Sequence, residues 1–173
     1  MMTLSFIKTV DVATIDTPFT LDSGDSFLSG PVSYEAYGTL NSKKDNLILI
    51  LHGLTSHPHG ASHHPGDKAG WWEPLIGAGK IFDTNRYYIL IPNILGSSYG
   101  TLSPLTIDPR TGEVYGAKFP KITVRDMVRL HRRLLDSLEV DAPKLVIGGS
   151  LGGMQALEWA VNYPEDGADV ISI

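Results

Sequence analysis

The chain has 173 residues, enough for one domain with a buried core. Its 14 basic against 19 acidic residues give a net charge of −5, which argues against a nucleic-acid surface, and the lack of cysteine excludes disulfides, thiolate nucleophiles and Cys-ligated metals. Residues 1–8 are too poor in apolar residues for a signal peptide, and the longest aliphatic run, 47–51, is far too short to span a bilayer. No membrane association and a cytoplasmic location are the expectations.

Residues 19–21 and 31–37 read as strands around the turn-rich stretch 22–30, and suit an antiparallel hairpin at a sheet edge. Leu47-Ile-Leu-Ile-Leu51 is unbroken and apolar, as in a strand covered on both faces. A loop rich in histidine and glycine follows to residue 68, then a short helical or turn segment at 70–77. Residues 86–91 form the next buried strand. Residues 101–120 form a long loop, of the length that is usually functional or mobile. Thr123 is the expected N-cap of a helix, with Asp126 completing a capping box. Val124, Met127, Val128, His131, Leu134, Leu135 and Leu138 recur at helical spacing, to about residue 139. Residues 145–148 are a strand, a helix runs from there to about residue 163, and residues 168–173 begin another buried strand. Unbroken apolar strands joined by helices predict an α/β fold with a mostly parallel sheet.

The chemistry centres on Gly148-Gly-Ser-Leu-Gly152, set between a buried strand and a helix. This is the context a nucleophile elbow requires: a sharp turn lifts Ser150 clear of the sheet, and the helix N-terminus aims free N–H groups at the reacting centre. Ser150 is the candidate nucleophile. The backbone N–H groups of Leu54 and Leu151 are the candidate oxyanion donors. His52 is expected to brace the oxyanion loop rather than act as base. Asn93 and Tyr99, just past a strand end, are candidate pocket residues. His57, His59, His63 and His64 match no strong ligand spacing, so no metal is expected and the loop is read as solvated. His131 is read as a core or interface histidine, Trp71 and Trp72 as packing residues, Arg125 and Lys80 as surface charges.

Several stretches carry a family resemblance. They are His52-Gly-Leu-Thr55, Gly70-Trp-Trp72, Ile76-Gly-Ala-Gly-Lys80, Pro92-Asn-Ile-Leu-Gly96, Tyr115-Gly116, Ile122-Thr-Val-Arg-Asp-Met-Val128 and Gly148-Gly-Ser-Leu-Gly-Gly-Met-Gln-Ala-Leu-Glu-Trp159. In this order they resemble the homoserine O-acetyltransferase family of the α/β-hydrolase fold. Gly53, Ser56, Ser97, Ser98 and Leu151 depart from residues frequent in that family, which bears on substrate preference more than on reaction type.

The resemblance implies transfer of acetyl from acetyl-CoA, a co-substrate rather than a bound cofactor, to the hydroxyl of L-homoserine through an acyl-Ser150 intermediate. It places the chain in methionine biosynthesis and implies a homodimer in the full-length form. Succinyl transfer, serine as acceptor, an esterase using water and a non-catalytic remnant remain open at this point.

All six histidines precede Ser150, and the acids after it are Glu158, Glu165, Asp166 and Asp169. The family carries its acid, histidine and lid in a further half. Residues 1–173 are therefore expected to be the N-terminal part of one α/β-hydrolase domain, truncated before the later strands, and to lack turnover alone.

Overall fold

An aliphatic strand with no polar face has to be covered on both sides, and the architecture supplies two different covers. The computed structural model describes residues 6–173. In chain order the elements are β1 (Lys8–Asp11), β2 (Phe19–Thr20), β3 (Ser26–Phe27), β4 (Pro31–Tyr37), β5 (Leu47–Leu51), β6 (Ile76–Gly77), β7 (Phe82–Asp83), β8 (Tyr88–Pro92), helix α1 (Val124–Ser137), β9 (Leu145–Gly148), helix α2 (Leu151–Asn162) and β10 (Asp169–Ser172). The main sheet has the order β1-β4-β8-β5-β9-β10. From β8 to β10 it is parallel; β4 runs antiparallel to both β8 and β1.

Alternate residues of β5 face opposite covers. Leu47, Leu49 and Leu51 join the core made with α1 and α2, including Val128, Leu134, Leu135 and Trp159. Ile48 and Ile50 face a second core with Ile89 and Ile91 of β8, covered by Ala61, Ile76 and Phe82 from the long connection between β5 and β8. Each such aliphatic side chain contributes roughly 1.5–3 kcal/mol on burial.

Several expectations need correction. The stretch at 19–21 does not pair with 31–37: β2 pairs with β3 in a small separate hairpin, and β4 joins the main sheet. The edge beside β4 is β1, which has little alternation to betray it. Of the two alternatives read for residues 70–77, helix or turn, the structure has turns, ending in the two-residue β6. The strand expected from residue 86 begins at Tyr88. β10 pairs in parallel with β9 and is the last strand of the sheet that these residues form.

The start of α1 is as read. Thr123 accepts from the Asp126 N–H, and the Asp126 carboxylate accepts from the Thr123 N–H. Asp126 is fully buried and also accepts from the Asp22 N–H at 2.9 Å, so one carboxylate caps the helix and ties down a turn 104 residues away. Thr123→Ala should cost about 1 kcal/mol, the usual loss of an N-cap. Asp126→Ala should cost about 3 kcal/mol, because it strands buried donors as well. Urea denaturation of the two variants checks that order.

Candidate active site

Ser150 stands between β9 and α2 with φ 56° and ψ −124°, a conformation that non-glycine residues rarely adopt and that costs on the order of 1–3 kcal/mol. It is held there from both sides. The Ser150 N–H donates to the Ile173 carbonyl at 2.9 Å, and the Ser150 carbonyl accepts from the Met154 N–H at 3.1 Å. Its side chain makes no capping bond to the helix, and the residue is exposed. The turn is possible because α2 runs almost against the sheet backbone. A Cβ on Gly152 would sit 1.9 Å from the Leu51 carbonyl oxygen, and one on Gly148 2.3 Å from the Gly152 carbonyl.

The other wall is the loop leaving β5. A Cβ on Gly53 would lie 3.7 Å from the Ser150 Cβ, which puts this loop beside the serine. Gly53 and Ser56 close a tight turn through a 3.1 Å bond from the Ser56 N–H to the Gly53 carbonyl. Among the described residues, no hydrogen-bond acceptor takes the N–H of Leu54 or of Leu151. The Leu54 side chain is exposed, not buried, so its position is not set by packing.

His52 is fully buried, and its Nδ1–H donates to the Gly53 carbonyl at 2.9 Å. Burial holds its pKa below the ordinary histidine value, with the hydrogen bond to the Gly53 carbonyl partly opposing. It is thus a neutral brace on the loop beside Ser150. Asn93, expected at the pocket, is fully buried with neither side-chain amide atom partnered. Tyr99 is half-buried, its ring edge-on to His57 at 5.6 Å. The structure therefore brings together Ser150, Gly53-Leu54 and the N-terminus of α2, with His52 behind them.

The histidine loop departs from expectation. His64 is exposed, but His59 is buried and His63 largely so, and both converge on the fully buried Glu35 of β4: His59 Nδ1 lies 2.9 Å and His63 Nε2 2.8 Å from Oε2. The Tyr37 hydroxyl donates to the same oxygen at 2.8 Å. The loop is anchored, not solvated. Loop spacing alone could not reveal this, because the anchor sits on a strand 24 residues before His59. Burial lowers the His59 pKa, and the Lys68 carbonyl and Glu35 carboxylate together outweigh it, leaving the value raised.

No histidine or carboxylate among the described residues hydrogen-bonds the Ser150 hydroxyl. Glu158 pairs with Arg125 at 3.0 Å, giving that arginine the partner it needs at a helix N-terminus. Asp166 accepts from the Trp159 indole N–H at 3.0 Å. His131 is fully buried and donates from Nε2 to Gln155 Oε1 at 2.9 Å, linking α1 to α2 as a core histidine. Trp71 and Trp72 pack on the second core, as read.

Fold and elbow together define a class. The model of the alpha/beta hydrolase fold family matches residues 46–172, and the chain belongs to that family. The finer resemblance read from the motifs is also borne out. The homoserine O-acetyltransferase of Deferribacter desulfuricans is 49% identical over 172 residues, covering 98% of this chain and 45% of the relative. Among solved structures, esterase E22 superposes with a TM-score of 0.81 at 37% identity, covering 91% of this chain and 44% of that one. The homoserine O-acetyltransferase from Bacillus anthracis superposes with a TM-score of 0.81 at 32% identity, covering 94% and 45%. The chain spans less than half the length of the curated relatives it matches.

Two measurements test the packing of the site. Gly152→Ala should destabilise by about 3 kcal/mol or more, since the methyl meets backbone that cannot move aside. Gly149→Ala should stay within about 0.5 kcal/mol, because nothing lies within 4 Å of the added carbon. Thermal melts of both variants separate the two roles.

The second concerns pH. Burial pulls the His131 pKa down to about 4 from an ordinary 6.5. The neutral ring is the folded form, so its contribution is complete above pH 6.5 and is lost as pH falls toward 4, where the unfolded chain has already taken up the proton. The loss should be on the order of 3 kcal/mol. Urea unfolding at pH 7 and pH 4.5 should show a smaller difference for His131→Gln than for the wild type.

Proposed function

We propose that this chain carries the nucleophile half of an acyl-CoA-dependent O-acyltransferase, with L-homoserine as acceptor and acetyl-CoA as donor. The observation that carries this is the strained, exposed Ser150 at the N-terminus of α2, in a chain 49% identical to a homoserine O-acetyltransferase across nearly all its length. Ser150 Oγ attacks the thioester carbonyl. Its proton passes to a general base, and the N–H groups of Leu151 and Leu54 receive the developing oxyanion, each worth about 3 kcal/mol to the transition state. Collapse expels the CoA thiolate, which takes a proton, and leaves acyl-Ser150. The homoserine hydroxyl attacks that ester in the second step, giving up its proton to the same base and restoring the serine.

The base is assigned to a part of the protein beyond these residues, since no histidine here contacts the Ser150 hydroxyl and the family order places acid and histidine after the serine. The 173 residues alone are accordingly inactive. Among the described residues no helix is long and apolar enough to cross a membrane; a cytoplasmic, homodimeric enzyme of methionine biosynthesis completes the reading.

A second reading has a specific observation behind it: esterase E22 is as similar in structure as the transferase is. Water would then replace homoserine in the second step. The protein in its full length, incubated with acetyl-CoA, should release free CoA only when L-homoserine is present, with O-acetylhomoserine seen by mass spectrometry. CoA release indifferent to homoserine, with hydrolysis of p-nitrophenyl acetate, would establish the esterase instead. Ser150→Ala should lower either activity at least about 10⁴-fold.

A further inference from the structure

We infer that Glu35, His59 and His63 form a binding site for one divalent transition-metal cation of the zinc type, which pins the loop after β5 to the sheet. The site shares no residue with the Ser150 chemistry and does not depend on the proposed reaction. Three facts point to it. First, the ligand atoms already converge: His59 Nδ1, His63 Nε2 and a Glu35 carboxylate oxygen all lie within 4.8 Å of one another. Zinc bonds of about 2.0–2.2 Å to nitrogen and carboxylate oxygen would close this set with small side-chain movements.

Second, hydrogen bonding accounts for the carboxylate unevenly. Oε2 faces the Tyr37 hydroxyl and both imidazole nitrogens, while Oε1 is buried with no partner. Three donors gathered on one oxygen leave the acceptor sites of the other unused. A cation in this group takes up Oε2 or both oxygens, and offsets the cost of a fully buried charge.

Third, His59 is held as metal-bound histidines are. Its Nε2 donates to the Lys68 carbonyl at 2.8 Å, which fixes the ring, and Nδ1 points at Glu35 Oε2 at 2.9 Å, where a cation would take the place of the proton between them. The His63 ring is fixed between Phe6 and Tyr37, with centroids 4.3 and 4.5 Å away. Two nitrogens and a carboxylate, with no thiolate, suit zinc. Access is open: His63 borders a cleft of about 420 Å³ lined also by Tyr37, Ala61 and Ser62.

The test uses the whole protein, stripped with a chelator and dialysed, then titrated with Zn²⁺ and with Co²⁺. One equivalent should bind by calorimetry, raise the Tm, and give Co²⁺ a visible absorption band of nitrogen–oxygen ligation. Glu35→Gln and His63→Ala should each weaken binding at least about tenfold, while His64→Ala, on the exposed neighbour, should leave it unchanged. Circular dichroism checks folding. His63 is the most exposed of the three ligands, so its variant carries the test if Glu35→Gln does not fold. No saturable uptake by the wild type overturns the proposal, as does binding that survives His63→Ala or is lost equally in His64→Ala.

Discussion

The close passage of α2 over the ends of β5 and β9 is the contact on which the remaining geometry depends. Only glycine at 148 and 152 lets helix and strand backbones approach so closely. With the helix fixed there, Ser150 has nowhere to go but into a conformation that lifts its hydroxyl off the sheet, and the helix dipole points at it. The same passage leaves room for the Gly53 turn beside the serine. Strain at one residue is tolerable because two large hydrophobic cores over-determine the backbone on either side.

Those cores are of different kinds. The face carrying Leu47, Leu49 and Leu51 is covered by helices, whose packing is dictated by periodic apolar residues. The opposite face is covered by a long irregular connection, in which Ala61, Ile76 and Phe82 supply the contacts. A loop has no ladder of its own to hold it, so its backbone needs other partners. Buried polar side chains provide them. The Tyr37 hydroxyl accepts from the N–H groups of Gly60 and Ala61, and Glu35 gathers the two histidines. On the helical side Asp126 plays the matching part for the turn at Asp22. In both places one buried carboxylate joins segments remote in sequence, at the cost of desolvation that several hydrogen bonds offset.

This division bears on the site. His52 is neutral and fully buried, fastened to the loop carbonyl next to Ser150. His131 and Gln155 tie the helices beneath the elbow, and the Gln155 amide donates to the Leu151 carbonyl at 3.3 Å. The atoms around Ser150 are therefore set mainly by backbone and by buried polar contacts.

What the sequence determined by itself were the features written in local spacing. The unbroken apolar run of β5, the helical stripe and capping box of α1, and the glycines flanking Ser150 each encode their structure within a few residues, so period and turn chemistry suffice to read them. The tertiary structure decided what depends on partners far along the chain. It paired β4 with β1 and β8 rather than with the 19–21 stretch. It turned a histidine-rich loop, which spacing suggested was solvated, into one anchored on Glu35. The physical reason is common to all of these: strand pairing and buried charge are satisfied by whichever groups the fold brings together, and sequence distance carries no record of that meeting.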